Sequence, residues 1–196
     1  WSSDVCSSDL PKVTGKLALV EIQPELADMA KRSIAMNELT QRVSVIESDM
    51  KAIFEDIQPG SVETVLSNPP YFPLNETTKT NHDKHYQLAR HELTIDLPGL
   101  AQVVNKLLKN NGKFYMVHRP DRLADIFAAF ASRKLMIKRI QFVYGKANRE
   151  ANMVLIEAIK SGRPGGVRIM PPIIAYTSEN NYTKAVSDIL YGTSWS

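Results

Sequence analysis

Three short apolar runs, each leading to a polar residue and separated by helical or turn-forming stretches, limit what this chain can fold into. Leu17-Ala18-Leu19-Val20 reads as a buried strand with Glu21 at its end. Val43-Ser44-Val45-Ile46 is a second strand that stops before Asp49, and the run 62–67 leads into Asn68. Pro24 follows the first run at a position suited to the first turn of a helix. Leu26, Met29, Ala30, Ile34 and Met36 then recur at helical spacing, which predicts an apolar helix face. A short helix over 51–56 and a Pro59-Gly60 turn precede the third run. Strand, helix, strand, short helix, strand argues for a parallel α/β sheet. Downstream, a helix over 96–108 has Leu100, Val103, Val104, Leu107 and Leu108 as its core face, with Asn110-Asn111-Gly112 closing it. A strand over 113–117 and a helix from Pro120 through 132 follow. Strands over 135–143 and 151–159 read as an antiparallel ending, and the last helix covers 183–190.

Asn68-Pro69-Pro70-Tyr71 stands directly after the third strand. Two prolines fix φ and remove two backbone donors, and they hold the preceding residues extended. What remains is an Asn side chain, free carbonyls and an aromatic ring. The exocyclic nitrogen of adenine and the amide nitrogen of glutamine are poor nucleophiles, because the lone pair is delocalised. The Asn68 side-chain oxygen and the Pro69 carbonyl could accept both N–H bonds of such an amino group. They would draw it toward tetrahedral geometry by placed dipoles rather than by a strong base. Tyr71 would stack on the planar group, as aromatic residues do in flipped-base enzymes. The competing reading is a strand-ending turn with no chemistry. The full tetrapeptide after a buried strand favours the functional one.

This tetrapeptide is similar to the signature of class I S-adenosylmethionine-dependent amino-methyltransferases. Val20-Glu21-Ile22-Gln23, Asn68-Pro69-Pro70-Tyr71-Phe72 and Ala89-Arg90-His91-Glu92 together resemble the bacterial tRNA1(Val) (adenine-37-N6)-methyltransferases, over about residues 15–190. The resemblance implies a Rossmann-like sheet, mostly parallel with an antiparallel C-terminal strand. It also implies S-adenosylmethionine as cofactor and tRNA as substrate. In such a sheet ligands bind outside the carboxyl ends of the strands. Glu21 could accept from two ribose hydroxyls, with Ile22 against the adenine ring. Asp49 could accept from the adenine amino group, with Met50 covering the ring, and Asn68 borders the same site. A carboxylate after a strand is often only a helix cap; one at each strand end is mutually supporting. Nothing has metal-ligand spacing.

Charge is distributed unevenly. Residues 1–98 carry nine Lys/Arg against fifteen Asp/Glu, a net −6, and residues 99–196 carry fifteen against six, a net +9. A basic half suits a polyanion. Phe72, Arg90, Arg119, Lys160, Arg163 and Arg168 are the candidate RNA contacts, and Tyr144 and Arg149 could act likewise. Polar residues 73–94 form a long loop that would gate the substrate. A single cysteine, Cys6, excludes a disulfide framework. With no apolar run of membrane-spanning length and no signal pattern, cytoplasmic residence is the expectation.

The chain also departs from the family pattern. A class I methyltransferase carries a glycine-rich loop after its first strand, where backbone approaches the cofactor. No Gly-x-Gly occurs in this sequence, and the family's first strand has no counterpart. Residues 1–10 are Ser/Asp-rich, repeat Ser-Ser-Asp and have no periodicity. They read as a non-native or disordered segment before a partial methyltransferase domain over 11–196. A sheet lacking its central strand would leave strand edges exposed. Two alternatives stay open: a glutamine-N5 methyltransferase acting on release factors, and a non-catalytic RNA-binding remnant.

Overall fold

The computed structural model of the protein describes residues 15–69 and 96–191. The chain divides into two compact units. Among the described residues the first holds 15–57 and the second holds 58–69 and 96–191. The proposed segment at 1–10 and the loop over 73–94 lie outside the described residues.

In the first unit, β1 (Leu17–Glu21) pairs in parallel with β2 (Val43–Glu47), with Glu21 opposite Glu47. The crossover is α1 (Pro24–Met36), which carries proline in its first turn as expected. One side of the ribbon is closed: Ile34 and Val43 pack with Leu17, Leu19, Leu39 and Val45. The other side is open. Ala18 and Val20 are exposed, so β1 is half-buried rather than the fully buried strand its sequence implies. The reason is alternation: successive side chains face opposite sides, and α1 covers only one. The helix face also rotates. Ala27, Ala30 and Ile34 are buried, whereas Met29 and Met36 are exposed. The large methionines had mimicked a core stripe that the smaller alanines occupy. The segment after β2 forms one 3-10 turn, Ile53–Glu55.

The second unit is built on a six-stranded sheet in which β3 (Val62–Ser67), β4 (Leu108–His118), β6 (Ala151–Lys160) and β5 (Leu135–Tyr144) lie side by side in that order. β3 and β4 are parallel; β6 runs antiparallel to both neighbours. Short strands β7 (Arg168–Ile169) and β8 (Ile173–Ile174) add in parallel to the far side of β5. The α/β class and the antiparallel C-terminal strand are as expected; β7 and β8 were not foreseen. Among the described residues β3 pairs with β4 alone, and Leu66 on it is 73% exposed. Among the described residues it is therefore an edge strand rather than the buried strand its sequence implies.

Two helices, α2 (Leu97–Leu107) and α3 (Leu123–Ser132), pack on each other and on the sheet. Asp96 starts α2 by accepting from the Gly99 N–H at 2.8 Å, an N-cap that satisfies one of the helix's orphan donors. Leu100, Val103, Val104 and Leu107 are all buried, the core face read from the sequence. Phe114 and Phe130, both fully buried, meet with ring centroids 5.4 Å apart. The helix does not end at Gly112. Leu108 is already extended, and 109–112 lie within β4. The β3–β4 register jumps between Val62/Leu108 and Thr64/Lys113, and Asn111 has φ 63°. Asn110-Asn111-Gly112 is therefore a bulge inside the strand. A Cβ on Gly112 would stand 2.8 Å from the Lys109 carbonyl oxygen and 3.1 Å from that of Glu63, so only glycine fits between the two backbones. Helix α4 (Lys184–Tyr191) closes the described chain.

Candidate functional site

Each unit presents polar groups at the carboxyl ends of parallel strands. In the first unit, Glu21 ends β1 and Asp49 follows β2. Glu21 Oε1 accepts the Gln23 N–H at 2.9 Å, and its own carbonyl accepts the Ser48 N–H at 3.1 Å. Asp49 Oδ1 accepts the Lys51 N–H at 2.8 Å. Each carboxylate is thus held by one oxygen through a local backbone turn, and the other oxygen has no protein donor among the described residues. That suits acceptance from a ligand hydroxyl or amino group. Glu21, Ile22 and Met50 are half-buried and Asp49 is exposed. The four residues proposed from the sequence stand on adjacent strand ends, the position at which α/β sheets bind ligands.

In the second unit, Asn68 follows the last residue of β3. Asn68 is half-buried and Pro69 is buried, so the loop leaves the sheet with its proline ring covered. Pro70, Tyr71, Phe72 and Arg90 lie outside the described residues. His118 ends β4 beside it and is 2% exposed. Its Nδ1 accepts the Arg119 N–H at 2.8 Å, which leaves the neutral ring's proton on Nε2. Burial is the main force lowering the His118 pKa. Arg119 stands on the same sheet edge, but its guanidinium is bound to Asp121 at 2.9 Å. Both groups are about half-exposed, so the pair is weak and exchangeable for a phosphate.

Strand direction separates the other basic candidates. β6 runs opposite to β4, so its last residue, Lys160, pairs with Leu135 at the start of β5. Lys160 Nζ donates to the Leu108 carbonyl at 2.7 Å. Lys160, and Arg163 in the turn after it, therefore stand at the sheet edge opposite Asn68. Arg168 lies outside β5, level with Arg139 in mid-strand, and is exposed. The structure brings Asn68, Pro69 and Arg119 to one edge and leaves Lys160, Arg163 and Arg168 away from it.

Some groups had no signal in the sequence. Tyr115, Glu157 and Arg139 meet across β4, β6 and β5. Glu157 Oε2 accepts from Arg139 Nη2 at 2.5 Å and Nε at 3.1 Å. Burial raises the Glu157 pKa, but Arg139 and Tyr115 outweigh it, and the carboxyl stays below its ordinary value. Tyr115 is raised by burial and by Glu157. This cluster ties three strands together. Among the described residues no group of acidic, His or Cys side chains could hold a metal ion, and no helix is long and apolar enough to cross a membrane.

No protein-family model matches the chain. It is similar to tRNA1(Val) (adenine(37)-N6)-methyltransferases. That of Aeromonas hydrophila is 30% identical over 142 residues, 72% of this chain and 57% of the relative; that of Porphyromonas gingivalis is 26% identical over 140 residues, 70% and 54%. A release factor glutamine methyltransferase of Streptomyces coelicolor is 30% identical over 128 residues, 58% of this chain and 45% of that protein. The chain spans just over half the length of the tRNA methyltransferases it matches. Among solved structures, a protein of Agrobacterium tumefaciens described as a predicted O-methyltransferase superposes with a TM-score of 0.66 at 22% identity, covering 89% of this chain and 76% of that one. Geranyl diphosphate C-methyltransferase of Streptomyces coelicolor, which holds S-adenosyl-L-homocysteine, gives 0.53 at 13%, covering 76% and 65%. The fold is that of the Rossmann-like class I methyltransferases, and the resemblance read from the sequence is borne out.

Proposed function

We propose that this chain belongs to an S-adenosylmethionine-dependent methyltransferase that methylates N6 of an adenine in tRNA, in the cytoplasm. The observation that carries the reading is Asn68-Pro69 at the carboxyl end of β3 in a methyltransferase sheet, with Pro69 buried. Similarity to the tRNA1(Val) enzymes supports an adenine at position 37 as the target.

The roles follow from the donor sets. Glu21 would hold the cofactor's ribose, Asp49 its adenine amino group, and Ile22 and Met50 the adenine faces. Bound there, S-adenosylmethionine supplies a methyl group activated by its sulfonium. Asn68 Oδ1 and the Pro69 carbonyl accept the two amino N–H bonds of the target base, which localises the nitrogen lone pair. By its residue type Pro70 would remove a further backbone donor, and Tyr71 would stack on the base.

Substitution of Asn68 by Ala in the protein should lower methyl transfer from labelled S-adenosylmethionine to unmodified tRNA on the order of a hundredfold or more. Cofactor binding, read by calorimetry, should be unchanged. Normal turnover in Asn68→Ala sinks the mechanism. The similarity to a release factor glutamine methyltransferase favours a second reading, in which the same acceptors grip a glutamine amide. Transfer to release factor but not tRNA decides for it. The net +9 on residues 99–196 weighs toward RNA.

A further inference from the structure

A cleft of about 570 Å³ opens beyond the carboxyl end of β5, lined by Lys146, Asn148, Tyr176, Thr177, Ser178 and Thr183 among others. Its wall is a small hairpin. Tyr176 and Tyr182 face each other across an antiparallel bridge, their rings stacked with centroids 5.1 Å apart and planes 20° from parallel. The Tyr176 side chain beside it raises the Tyr182 pKa. Cross-strand aromatic pairs stabilise hairpins, and this pair does so here, yet the two residues remain 39% and 46% exposed. The hairpin is tied to the sheet by backbone bonds. The Ala175 and Tyr176 N–H groups donate to the Tyr144 and Gly145 carbonyls at 2.8 and 2.9 Å, and the Thr177 N–H donates to the Asn181 carbonyl at 2.9 Å. The rings are therefore placed before any ligand arrives.

Lys146 Nζ reaches only the Ser178 carbonyl, at 3.4 Å, and no carboxylate pairs with it or with Arg149 among the described residues. An exposed aromatic ring in one cleft with a lysine that has no carboxylate partner, and with short hydroxyl and amide side chains, matches single-stranded nucleic acid: a base stacks and a phosphate binds the cation. A free anion would have no use for the ring.

The sheet register fixes where this cleft stands. Ser67 pairs with Met116, His118 with Val154, and Ala151 with Tyr144. The end of β5 thus shares its edge with Asn68 and Arg119. With strands about 4.8 Å apart and about 3.3 Å per residue, Tyr144 lies roughly 17 Å from Asn68. A single strand whose target base sits at Asn68 reaches the cleft within a few nucleotides.

We infer that the cleft lined by Lys146, Asn148 and Tyr176 is a subsite for a flanking nucleotide of single-stranded RNA. The inference rests on the RNA reading above and extends it to a site away from the reacting base. The test is fluorescence anisotropy of a labelled adenine-containing single-stranded oligoribonucleotide with the whole chain and with Tyr176→Ala, Tyr176→Phe, Lys146→Ala and Lys160→Ala. Circular dichroism melts check that each variant is folded. Loss of the ring should weaken binding about tenfold, and Tyr176→Phe, which keeps the stacking face, should bind within about twofold of the parent. Lys146→Ala should lower the slope of log K against log salt by about 0.7; Lys160→Ala, at the other sheet edge, should leave it unchanged. If the parent binds and Tyr176→Ala and Lys146→Ala bind as well as it does, the subsite is overturned while the RNA reading stands. If the parent binds no RNA yet methylates or binds release factor, both fall together.

Discussion

Replacing Arg139 with Met tests what holds the buried Glu157 carboxylate in the sheet that carries Asn68. The Glu157 side chain is 8% exposed and the Arg139 side chain 46%. Both Arg139 bonds go to one oxygen, Oε2, and Tyr115 beside it also favours the charged carboxylate. Stranding a buried charge costs about 3–5 kcal/mol. Two features reduce that figure here: Tyr115 stays in place, and the half-exposed position of Arg139 lets water replace part of what is lost. A loss of about 2 kcal/mol is expected, read as a lower urea midpoint at unchanged slope at pH 7. Replacing both residues, Arg139→Met with Glu157→Leu, should recover most of it, since a buried pair exchanged for apolar groups is often neutral. Acid sharpens the test. The folded pKa of Glu157 lies below its ordinary 4.5. Its stabilisation is therefore full above 4.5 and lost as pH falls through the lowered value. Without Arg139, burial acts with less opposition and the carboxyl takes up its proton earlier, so the gap between variant and parent should narrow below pH 4.5. A loss under about 0.5 kcal/mol at pH 7, or a gap that widens in acid, refutes the assignment of this pair as what holds the buried carboxylate.

His118 should contribute a separate slope at higher pH. Burial depresses its folded pKa below 6.5, so its share of stability is full above 6.5 and declines as pH falls toward the folded value, by at most about 1.4 kcal/mol per pH unit. His118→Asn keeps an acceptor but cannot titrate, and denaturation midpoints between pH 7.5 and 5 should show a flatter slope than the parent; equal slopes would exclude His118 as the source. Gly112→Ala should destabilise by about 1–3 kcal/mol, because its Cβ meets the Lys109 carbonyl at 2.8 Å. Amide exchange should rise along β3 and β4 if the bulge sets their register, and unchanged exchange there would show that the strands pair without it.

Local features were legible in the amino-acid sequence. The strands ending at Glu21 and Asn68, Pro24 in a first helical turn and the Leu100–Leu107 face all follow from alternation and helical spacing, which each segment carries in its own side chains. So does the chemistry proposed for Asn68 and Pro69, since it depends on neighbours in the chain. The same local rules misled wherever a partner decided the outcome. Met29 and Met36 fit the helical period, yet which arc of α1 is covered depends on what packs there. Asn110-Asn111-Gly112 has the composition of a helix cap, but the Glu63 carbonyl on β3 makes it a bulge.

Only tertiary structure could place the basic residues. Lys146 and Lys160 look alike in the sequence, fourteen residues apart. Because β6 runs back along β5, they stand at opposite edges of the sheet, and only the edge of Lys146 is shared with Asn68. The stacked Tyr176 and Tyr182, and the Arg139, Glu157 and Tyr115 cluster, arise the same way. Register and strand order are set by long-range packing, which decides which distant residues meet and which merely share a composition.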